Sequence, residues 1–490
     1  MARDIWYRLD NIGKFYSSQA GSAFQTVFRY AVTLRDDIDP EALQEALDTT
    51  VAIFPSFNVC LRSGMFWYYL EQLQTTPKVS PENLPICYGL RVDAKSVLFR
   101  VSYYRQRINV EVSHMISDGR GTLGFFKALI YAYVQRRYGV TGVPVDYEGT
   151  DRQKTEDSFS KYYERTEAAT SRGGRAYRIS GWKDEADPSF LEYHLPADRA
   201  IALAKSHGVG ITAFVMAALI CAIRQEMPLR QRNRPINIDI PVDLRQHFKS
   251  LTTKNFFGLA HISYVPGEED EPIGAVAAKV QAELKTVTTA QHLKPRMYQM
   301  IRLEKNPLLR LSPRIAKDVA IDFAARLARR ESTATVSNLG RIDIDERIAK
   351  YLCDINVLTS TKGMNFVICS FANVLSIEIS TVFANTDIIK DFCRIFSDAG
   401  VEGSIHINKG NDELAEDRRE ARLEASLKRL GGRTPILGGR TPILDADGDG
   451  ARGDGVRDAD GDGARGADGD GARGAGGDGA REMDGDGDRR

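Results

Sequence analysis

The sequence predicts an α/β protein that is built in two halves and carries a low-complexity tail. Segments with the two-residue alternation of strands are interleaved with segments that place apolar residues on one face of a helix. A polar, highly charged stretch over residues 150–175 contains few large aliphatic residues and divides these segments into two groups. The globular part of the chain, up to Lys409, is long enough for two or more domains.

We predict five regions along the chain. They are a first half at residues 1–150, a linker region at 151–185, a second half at 186–410, a charged helix or extension at 411–430, and a disordered repeat tail at 431–490. The fourth region is assigned because Leu414, Leu423, Leu427 and Leu430 recur at roughly helical spacing among charged residues.

The first half contains two predicted helices and two predicted strands. Pro40–Ala52 reads as a helix, because Leu43, Ala46, Leu47 and Val51 share one face. Ser96–Tyr104 and Ile108–His114 alternate as strands, and in the second of them Ile108, Val110, Val112 and His114 point the same way. Gly121–Arg137 follows as an apolar helix. The order is therefore strand, glycine-bounded loop and helix, with a histidine at the end of the strand.

The second half also contains both predicted helices and predicted strands. Helices are predicted at Ala197–Ser206, Ile211–Glu226 and Asp387–Ala399, and strands at Ile236–Val242, Leu259–Val265, Asn365–Phe371 and Leu375–Phe383.

The overall charge is balanced, with 66 basic and 66 acidic residues, but it is unevenly distributed. Residues 445–490 carry fourteen acidic residues against seven arginines, so this segment has a charge of −7 and the remainder of the chain +7. A mildly basic body is compatible with a phosphate-bearing or acidic partner. No basic stripe interleaved with aromatic residues is present, so nucleic-acid binding is not indicated.

The sequence favours a cytoplasmic protein. The first residues lack the apolar run of a signal peptide. The longest apolar stretch, near Ile211–Ile223, is too short to predict a transmembrane segment. Six widely spaced cysteines form no CxxC pair, and most lie among apolar residues, as is typical of buried thiols in a reducing compartment.

The tail is repetitive from Gly431 onward. The heptapeptide GGRTPIL occurs twice in succession and is followed by variants of DADGDGARG. Glycine, aspartate, arginine and alanine cannot bury enough apolar surface to offset chain entropy, so we predict disorder. The start of the repeat resembles half of a calcium-binding loop, but the twelfth position, which should be a bidentate Glu, is Val456. A specific calcium site is therefore not predicted.

His114 is the strongest candidate for chemistry in the segment His114-Met115-Ile116-Ser117-Asp118-Gly119. At the end of a strand with an apolar face, its ring is expected at the mouth of a cavity. A neutral imidazole there can take a proton from an acceptor hydroxyl that attacks a thioester carbonyl. The alternative is a core histidine whose hydrogen bonds are satisfied.

Asp118 is open to more than one interpretation. Its carboxylate could orient the imidazole of His114 as a dyad, or it could accept hydrogen bonds from the backbone of the tight loop before Gly119. A metal site is not predicted, because the next candidate ligands, His247 and His261, belong to no recognisable ligand spacing.

The motif His114-x-x-x-Asp118-Gly119, between a strand and an apolar helix, resembles the active-site motif of the CoA-dependent acyltransferase superfamily, which includes chloramphenicol acetyltransferase and condensation domains. Further segments agree in order: Pro241-Val242-Asp243-Leu244-Arg245, Asn255-Phe256-Phe257-Gly258 and Val336-Ser337-Asn338-Leu339-Gly340. Together these segments look most like the alcohol acetyltransferase and polyketide-associated branch. The opening Trp6-Tyr7-Arg8-Leu9-Asp10-Asn11 and the segment Gly64-Met65-Phe66-Trp67-Tyr68-Tyr69-Leu70 are similar to alcohol acetyltransferase-like bacterial proteins. The resemblance covers residues 5–410.

Two departures from the superfamily narrow the comparison. Condensation domains usually carry two adjacent histidines, whereas Ser113 precedes His114 here, which lowers the expectation of a peptide-bond-forming role. The Asp-Phe-Gly-Trp-Gly segment of plant acyltransferases is not found, so that branch is not favoured.

The resemblance implies a role for each motif residue. His114 would be the general base, and Asp118 would point away from it and pair with Arg245 as a structural residue. Gly119 would let the backbone pass close to the substrate or to the facing half. Ser337 and Asn338 could bind substrate, or they could form only a turn before Gly340.

The resemblance also implies two chloramphenicol-acetyltransferase-like subdomains with the active-site channel between them. The expected reaction moves an acyl group from acyl-CoA, or from the phosphopantetheine of an acyl carrier protein, to an alcohol hydroxyl, without a bound metal or redox cofactor. The alternatives are a condensation-type enzyme that forms an amide or ester on carrier-bound substrates, and an inactive homologue that binds a ligand or carrier. A monomer is compatible with the sequence, which does not fix the oligomeric state.

Overall fold

The computed structural model describes residues 5–18, 27–165, 175–185, 187–267, 269–307 and 311–407. These residues belong to one unit of packed chain, Met1–Arg429. The predicted charged helix at 411–430 and the predicted disordered tail at 431–490 lie outside the described residues.

The strands, in chain order, are β1 (Trp6–Arg8), β2 (Val27–Leu34), β3 (Val59–Ser63), β4 (Tyr68–Gln72), β5 (Ser80–Pro81), β6 (Phe99–Tyr104), β7 (Arg107–Ser113), β8 (Ser189–Pro196), β9 (Ile236–Asp243), β10 (Phe257–Tyr264), β11 (Ala334–Arg341), β12 (Leu352–Thr359), β13 (Met364–Phe371), β14 (Val374–Thr381) and β15 (Ser404–Ile407).

The helices are α1 (Asn11–Ser17), α2 (Pro40–Ile53), α3 (Gly119–Tyr138), α4 (Asp151–Lys154), α5 (Ser158–Lys161), α6 (Ala197–Ser206), α7 (Ile211–Gln225), α8 (Ile273–Val287), α9 (Ala290–Lys305), α10 (Arg314–Ala328), α11 (Glu346–Ala349) and α12 (Asp387–Asp398). Short 3₁₀ turns occur at Leu229–Gln231, Leu244–Gln246 and Arg329–Glu331. The predicted α/β class is confirmed.

Three sheets organise these elements. A five-stranded sheet has the order β12-β2-β7-β6-β5, and a seven-stranded sheet has the order β10-β9-β11-β13-β14-β8-β15. In the larger sheet β11 runs parallel to both β9 and β13, while the other pairs are antiparallel. A small third sheet has the order β1-β4-β3. The two larger sheets form the bodies of the two halves.

The two halves are not continuous in sequence. The sequence assigned residues 186–410 to the second half, but β12 pairs antiparallel with β2 of the first. Ile355 and Val357 of β12 are buried in the same core cluster as Phe28 and Val32 of β2. The assignment is corrected at this strand, because its apolar side chains complete the core of the first half.

Helix α3 begins where the sequence motif ends. Asp118 is its N-cap and accepts a hydrogen bond from the Gly121 amide, and Gly139 ends the helix in the left-handed conformation at φ 67°. The helix is therefore longer than the predicted span of Gly121–Arg137. Its apolar face, which includes Phe125, Phe126 and Leu129, is buried in the core of the first half.

No single described helix is long and apolar enough to cross a membrane. Helices α6 and α7 would pass such a test only as a pair, and they are bent by 78° at the break between them. Most of α7 is buried in the core of the second half.

All six cysteines carry free thiols, and Cys60, Cys87, Cys369 and Cys393 are buried. The prediction of buried thiols holds for these four, while Cys221 is half-buried and Cys353 is exposed.

Candidate active site

His114 follows β7 directly, and its ring lies among three aromatic rings from different parts of the chain. Tyr16 of α1 stacks on it with ring centroids 5.0 Å apart and an interplanar angle of 28°. The rings of Phe28 in β2 and Phe257 in β10 have centroids 4.5 Å and 6.4 Å away. Because β2 belongs to the five-stranded sheet and β10 to the seven-stranded sheet, His114 lies where the two halves meet.

The imidazole of His114 is held in its neutral form. Burial among the aromatic rings lowers its pKa from 6.5 to about 4. The charge of Asp118 and the polar groups of Asn255 and Ser117 act in the opposite direction, but less strongly. At neutral pH the ring is therefore uncharged and able to accept a proton.

The main chain at His114 is anchored by a residue of the second half. Asn255 Nδ2 donates to the His114 carbonyl oxygen at 2.9 Å and to Asp10 Oδ2 at 3.1 Å. The Asn255 amide also donates to Asp10, at 3.2 Å. Burial raises the pKa of Asp10 to about 6, although hydrogen bonds from Gly13 and Asn255 lower it. Asn255 thus forms hydrogen bonds with both the N-terminal segment, at Asp10, and the loop that begins at His114.

The carboxylate of Asp118 forms its hydrogen bonds with groups other than the imidazole of His114. Its Oδ1 accepts from the Gly121 amide at 2.6 Å, and its Oδ2 accepts from the Phe256 amide at 2.7 Å and from Arg245 Nη1 at 3.0 Å. These three donors engage both oxygens of the buried carboxylate. The predicted contact with Arg245 is present, and the dyad interpretation has no supporting hydrogen bond.

Arg245 joins Asp118 to the loop that follows β9. Its Nη1 also donates to Asp243 Oδ1 at 2.9 Å, its Nε to the Thr252 carbonyl at 3.0 Å, and its Nη2 to the Lys254 carbonyl at 2.6 Å. Burial would lower the pKa of Arg245, but the carboxylates of Asp118 and Asp243 raise it overall. The guanidinium remains charged and fixes the loop that carries Asn255.

Two glycines in the first turn of α3 allow the halves to approach closely. A Cβ atom on Gly119 would lie 3.2 Å from Leu339 Cδ2 of β11, in the facing half, and the Gly119 carbonyl accepts from the Tyr30 hydroxyl at 2.7 Å. A Cβ atom on Gly121 would lie only 2.1 Å from the Thr253 carbonyl oxygen. The sequence pointed to Gly119, but the tighter contact is at Gly121.

Ser337 and Asn338 lie in β11 rather than in a separate turn. Asn338 Nδ2 donates to Thr212 Oγ1 at 2.6 Å, and its Oδ1 accepts from the Gly340 amide at 2.7 Å. Gly340 has φ 74° and marks a register shift between β11 and β13. The side chain of Asn338 therefore shapes the end of the strand, while Ser337 is half-buried beside it.

Sequence reasoning missed several residues around His114. Tyr16 and Phe28 carried no signal, because aromatic residues in a helix or strand are ordinarily core residues. Asn255 and Phe257 stood inside a segment that carried the resemblance, but no role was attached to them. Asp10 stood in a similar segment at the N-terminus.

The described residues contain no group of three or more His, Cys, Asp or Glu side chains that could hold a metal ion. His247 is exposed, and His261 contacts Asp239 through its ring nitrogen Nδ1. Within the described residues, neither His247 nor His261 belongs to a group of side chains that could bind a metal ion.

Comparisons with known proteins agree with this architecture. A family model for the C-terminal region of phthiocerol/phthiodiolone dimycocerosyl transferases matches residues 196–346. Polyketide synthase associated protein 5 from Mycobacterium tuberculosis is 15% identical, with a TM-score of 0.54 over 80% of this chain and 96% of that chain. The chain shares the fold of that protein.

Condensation domains show the same fold. The first condensation domain of the CDA synthetase is 15% identical, with a TM-score of 0.54 over 79% of this chain and 93% of that chain. A variant of the starter condensation domain of rhizomide synthetase, solved in complex with C8-CoA, is 12% identical, with a TM-score of 0.53 over 79% of this chain and 93% of that chain. A search of curated proteins gives no significant match. The resemblance inferred from the sequence is thereby confirmed for the fold.

Proposed function

We propose that this protein is an O-acyltransferase that moves an acyl group from acyl-CoA, or from a carrier-bound thioester, to an alcohol hydroxyl. One observation carries the proposal: the imidazole of His114 is neutral, lies where the two halves meet, and has no carboxylate partner because Asp118 is engaged by other donors. A single neutral base in partly desolvated surroundings suits proton transfer from an alcohol.

The proposed reaction needs only this one base. The acceptor hydroxyl attacks the thioester carbonyl carbon while its proton passes to His114, which gives a tetrahedral intermediate and an imidazolium. The intermediate then expels the thiolate, which takes the proton back from His114, so that an ester and a free thiol leave and the imidazole is neutral again. In this scheme Asp118 and Arg245 hold the loop in place, and no metal or redox cofactor takes part.

Ser337 is the better candidate of the two for contact with substrate. Its hydroxyl lies on β11, the strand that packs over Gly119, whereas the amide of Asn338 already contacts Thr212 and Gly340. We assign Ser337 to substrate binding and Asn338 to the shape of the strand end.

The donor is proposed to be a thioester of CoA. The starter condensation domain that was solved with C8-CoA shares this fold. A carrier-bound donor is the rival, since other relatives of this fold are condensation domains of synthetases. Ser113 replaces the first of the two histidines usual in condensation domains, and this lowers the expectation of a peptide-bond-forming reaction. The six free thiols support the expected cytoplasmic location.

A donor and acceptor screen tests the proposal. Full-length protein is incubated with a series of acyl-CoA donors and with the same acyl groups loaded on a carrier protein. Each donor is paired with alcohols and with amines, and products are read by mass spectrometry. We expect an ester from acyl-CoA and alcohol, formed by the wild-type protein and not by His114→Ala.

The result separates the rivals. Amide formation from carrier-loaded donors alone would replace the proposal with the condensation reaction. Ester formation at equal rates by wild-type protein and His114→Ala would exclude the mechanism. Absence of any product over the whole panel, with ligand binding retained, would favour the inactive homologue.

A further inference from the structure

A cavity of about 310 Å³ opens on the second half of the chain. It is lined by Ala176 and by four arginines, Arg175, Arg178, Arg234 and Arg330. All four arginines are exposed, while Ala176 is buried.

None of these four guanidinium groups forms a hydrogen bond or an ion pair within the part of the chain that the structure describes. Buried or half-buried arginines elsewhere do form such pairs: Arg100 contacts Glu111, Arg107 contacts Glu192 and Arg245 contacts Asp118. A guanidinium keeps its charge in proteins, so four positive charges face one space, and the described residues that line this space include no carboxylate. Arg178 also acts on Lys183, whose pKa is lowered by burial first and by this neighbouring charge second.

The cavity is held by buried backbone, which fixes the arginines relative to each other. The amide of Tyr177 donates to the Pro235 carbonyl at 2.7 Å, so the segment with Arg175 and Arg178 is joined to the start of β9. The Tyr177 carbonyl accepts from Thr333 Oγ1 at 2.7 Å, which joins the same segment to the start of β11, beside Arg330. The arginines therefore extend from three segments that hydrogen bonds hold together.

The cavity is separate from the candidate active site. Arg234 precedes β9, whereas Arg245 follows the opposite end of that strand. Eight residues of extended strand place these two ends roughly 23 Å apart at about 3.3 Å per residue. The cavity therefore lies at the other end of β9 from the Asp118–Arg245 pair.

We propose that this cavity binds a ligand with two adjacent phosphate groups. Guanidinium groups match phosphate oxygens in a bidentate manner, and four of them balance a diphosphate better than they balance a singly charged anion. The volume is in the range of small-molecule sites and leaves room for an organic group beside the phosphates. The diphosphate could be inorganic or part of a nucleotide, including the nucleotide portion of CoA. This site does not depend on the proposed transferase activity.

Isothermal titration of the full-length protein with sodium diphosphate, sulfate, ATP and CoA, at fixed ionic strength and without acyl donor, tests the site. We expect diphosphate to bind at least about tenfold more tightly than sulfate. The double variant Arg178→Ala/Arg330→Ala should lose about tenfold or more in diphosphate affinity. Tighter binding of ATP or CoA than of diphosphate, also lost in this variant, would identify a nucleotide as the ligand, and equal binding would identify the phosphates alone.

The matched control is Arg230→Ala/Arg329→Ala, which removes two exposed arginines of the same region that do not line the cavity. It should keep wild-type affinity, as should His114→Ala. Melting curves without ligand should show that all variants fold. The proposal is overturned if diphosphate does not bind, if both double variants lose affinity equally, or if His114→Ala abolishes diphosphate binding.

Discussion

Arg245 and Asp118 stand 127 positions apart in sequence, and the guanidinium of one donates to the carboxylate of the other at 3.0 Å across the two halves. The same guanidinium bonds Asp243 and the carbonyls of Thr252 and Lys254. The pair therefore fixes the loop of the second half against the first turn of α3, four residues after His114.

Arg245→Ala should destabilise the fold by about 3–5 kcal/mol, because it leaves the carboxylates of Asp118 and Asp243 close together without a counter-charge. Asp118→Asn should cost less, about 1–3 kcal/mol, since Arg245 keeps Asp243 and the loop carbonyls. Both variants should lose turnover along with stability, as measured by chemical denaturation and by rate. Arg326→Ala, which breaks an exposed pair with Asp322, is the control and should change stability by less than about 1 kcal/mol. A stable Asp118→Asn variant with a large loss of rate would instead support the dyad.

His114→Ala should lower acyl transfer by about a hundredfold or more, the usual scale for a lost general base. The melting temperature should change little, because the ring is half-buried and its Nδ1 atom has no hydrogen-bond partner within the described part of the chain. His406→Ala on β15 is the control, since that histidine lies exposed on an edge strand. A folded His114→Ala variant with near wild-type turnover would contradict the assignment.

Gly121→Ala should destabilise the protein by about 2–3 kcal/mol, because the new methyl group would overlap the backbone carbonyl of Thr253. A backbone atom held between two packed segments cannot move aside as a flexible side chain could. Gly363→Ala is the matched control, since nothing lies within 4 Å of a Cβ atom there. Equal melting temperatures for the two variants would show that the halves are less closely packed at α3 than the structure indicates.

Asn255→Ala should lower kcat by about tenfold and change KM little, because the residue holds the main chain of His114 and is expected to act through it. A variant that is only less stable should, once corrected for the amount of folded protein, keep the wild-type kcat. Asn373→Ala, which removes an exposed hydrogen bond with Asp198, serves as the control. A change in KM with unchanged kcat would point to substrate contact rather than positioning.

The pH dependence follows from the lowered pKa of His114, about 4. Between pH 8 and about pH 5 the ring stays neutral, so kcat/KM should not fall through protonation of this residue, and it should fall as the pH approaches 4. The unfolded chain, in which the histidine regains an ordinary pKa near 6.5, binds more protons between those two values. His114 therefore lowers the stability of the fold as pH falls from 6.5 to 4. A loss of kcat/KM with a midpoint near pH 6.5 that also tracks His114 would contradict the desolvated surroundings.

The sequence predicted the local elements well where their periodicity was strong. The predicted strand Ile108–His114 is observed as Arg107–Ser113, and the predicted strand Asn365–Phe371 as Met364–Phe371. These segments are defined by the alternation of apolar residues, which depends on near neighbours. The motif around His114 could also be recognised from the sequence, because its residues are close together in the chain.

Only the tertiary structure decided which distant segments contact each other. The pairing of β12 with β2 joins residues more than 300 positions apart, and the amide of Val27 bonds Ser360 at a separation of 333. The aromatic surroundings of His114 combine α1, β2 and β10, and the arginine cavity combines three further segments. Periodicity shows which face of an element is buried but not what covers it, because the partner is chosen by packing over the whole core.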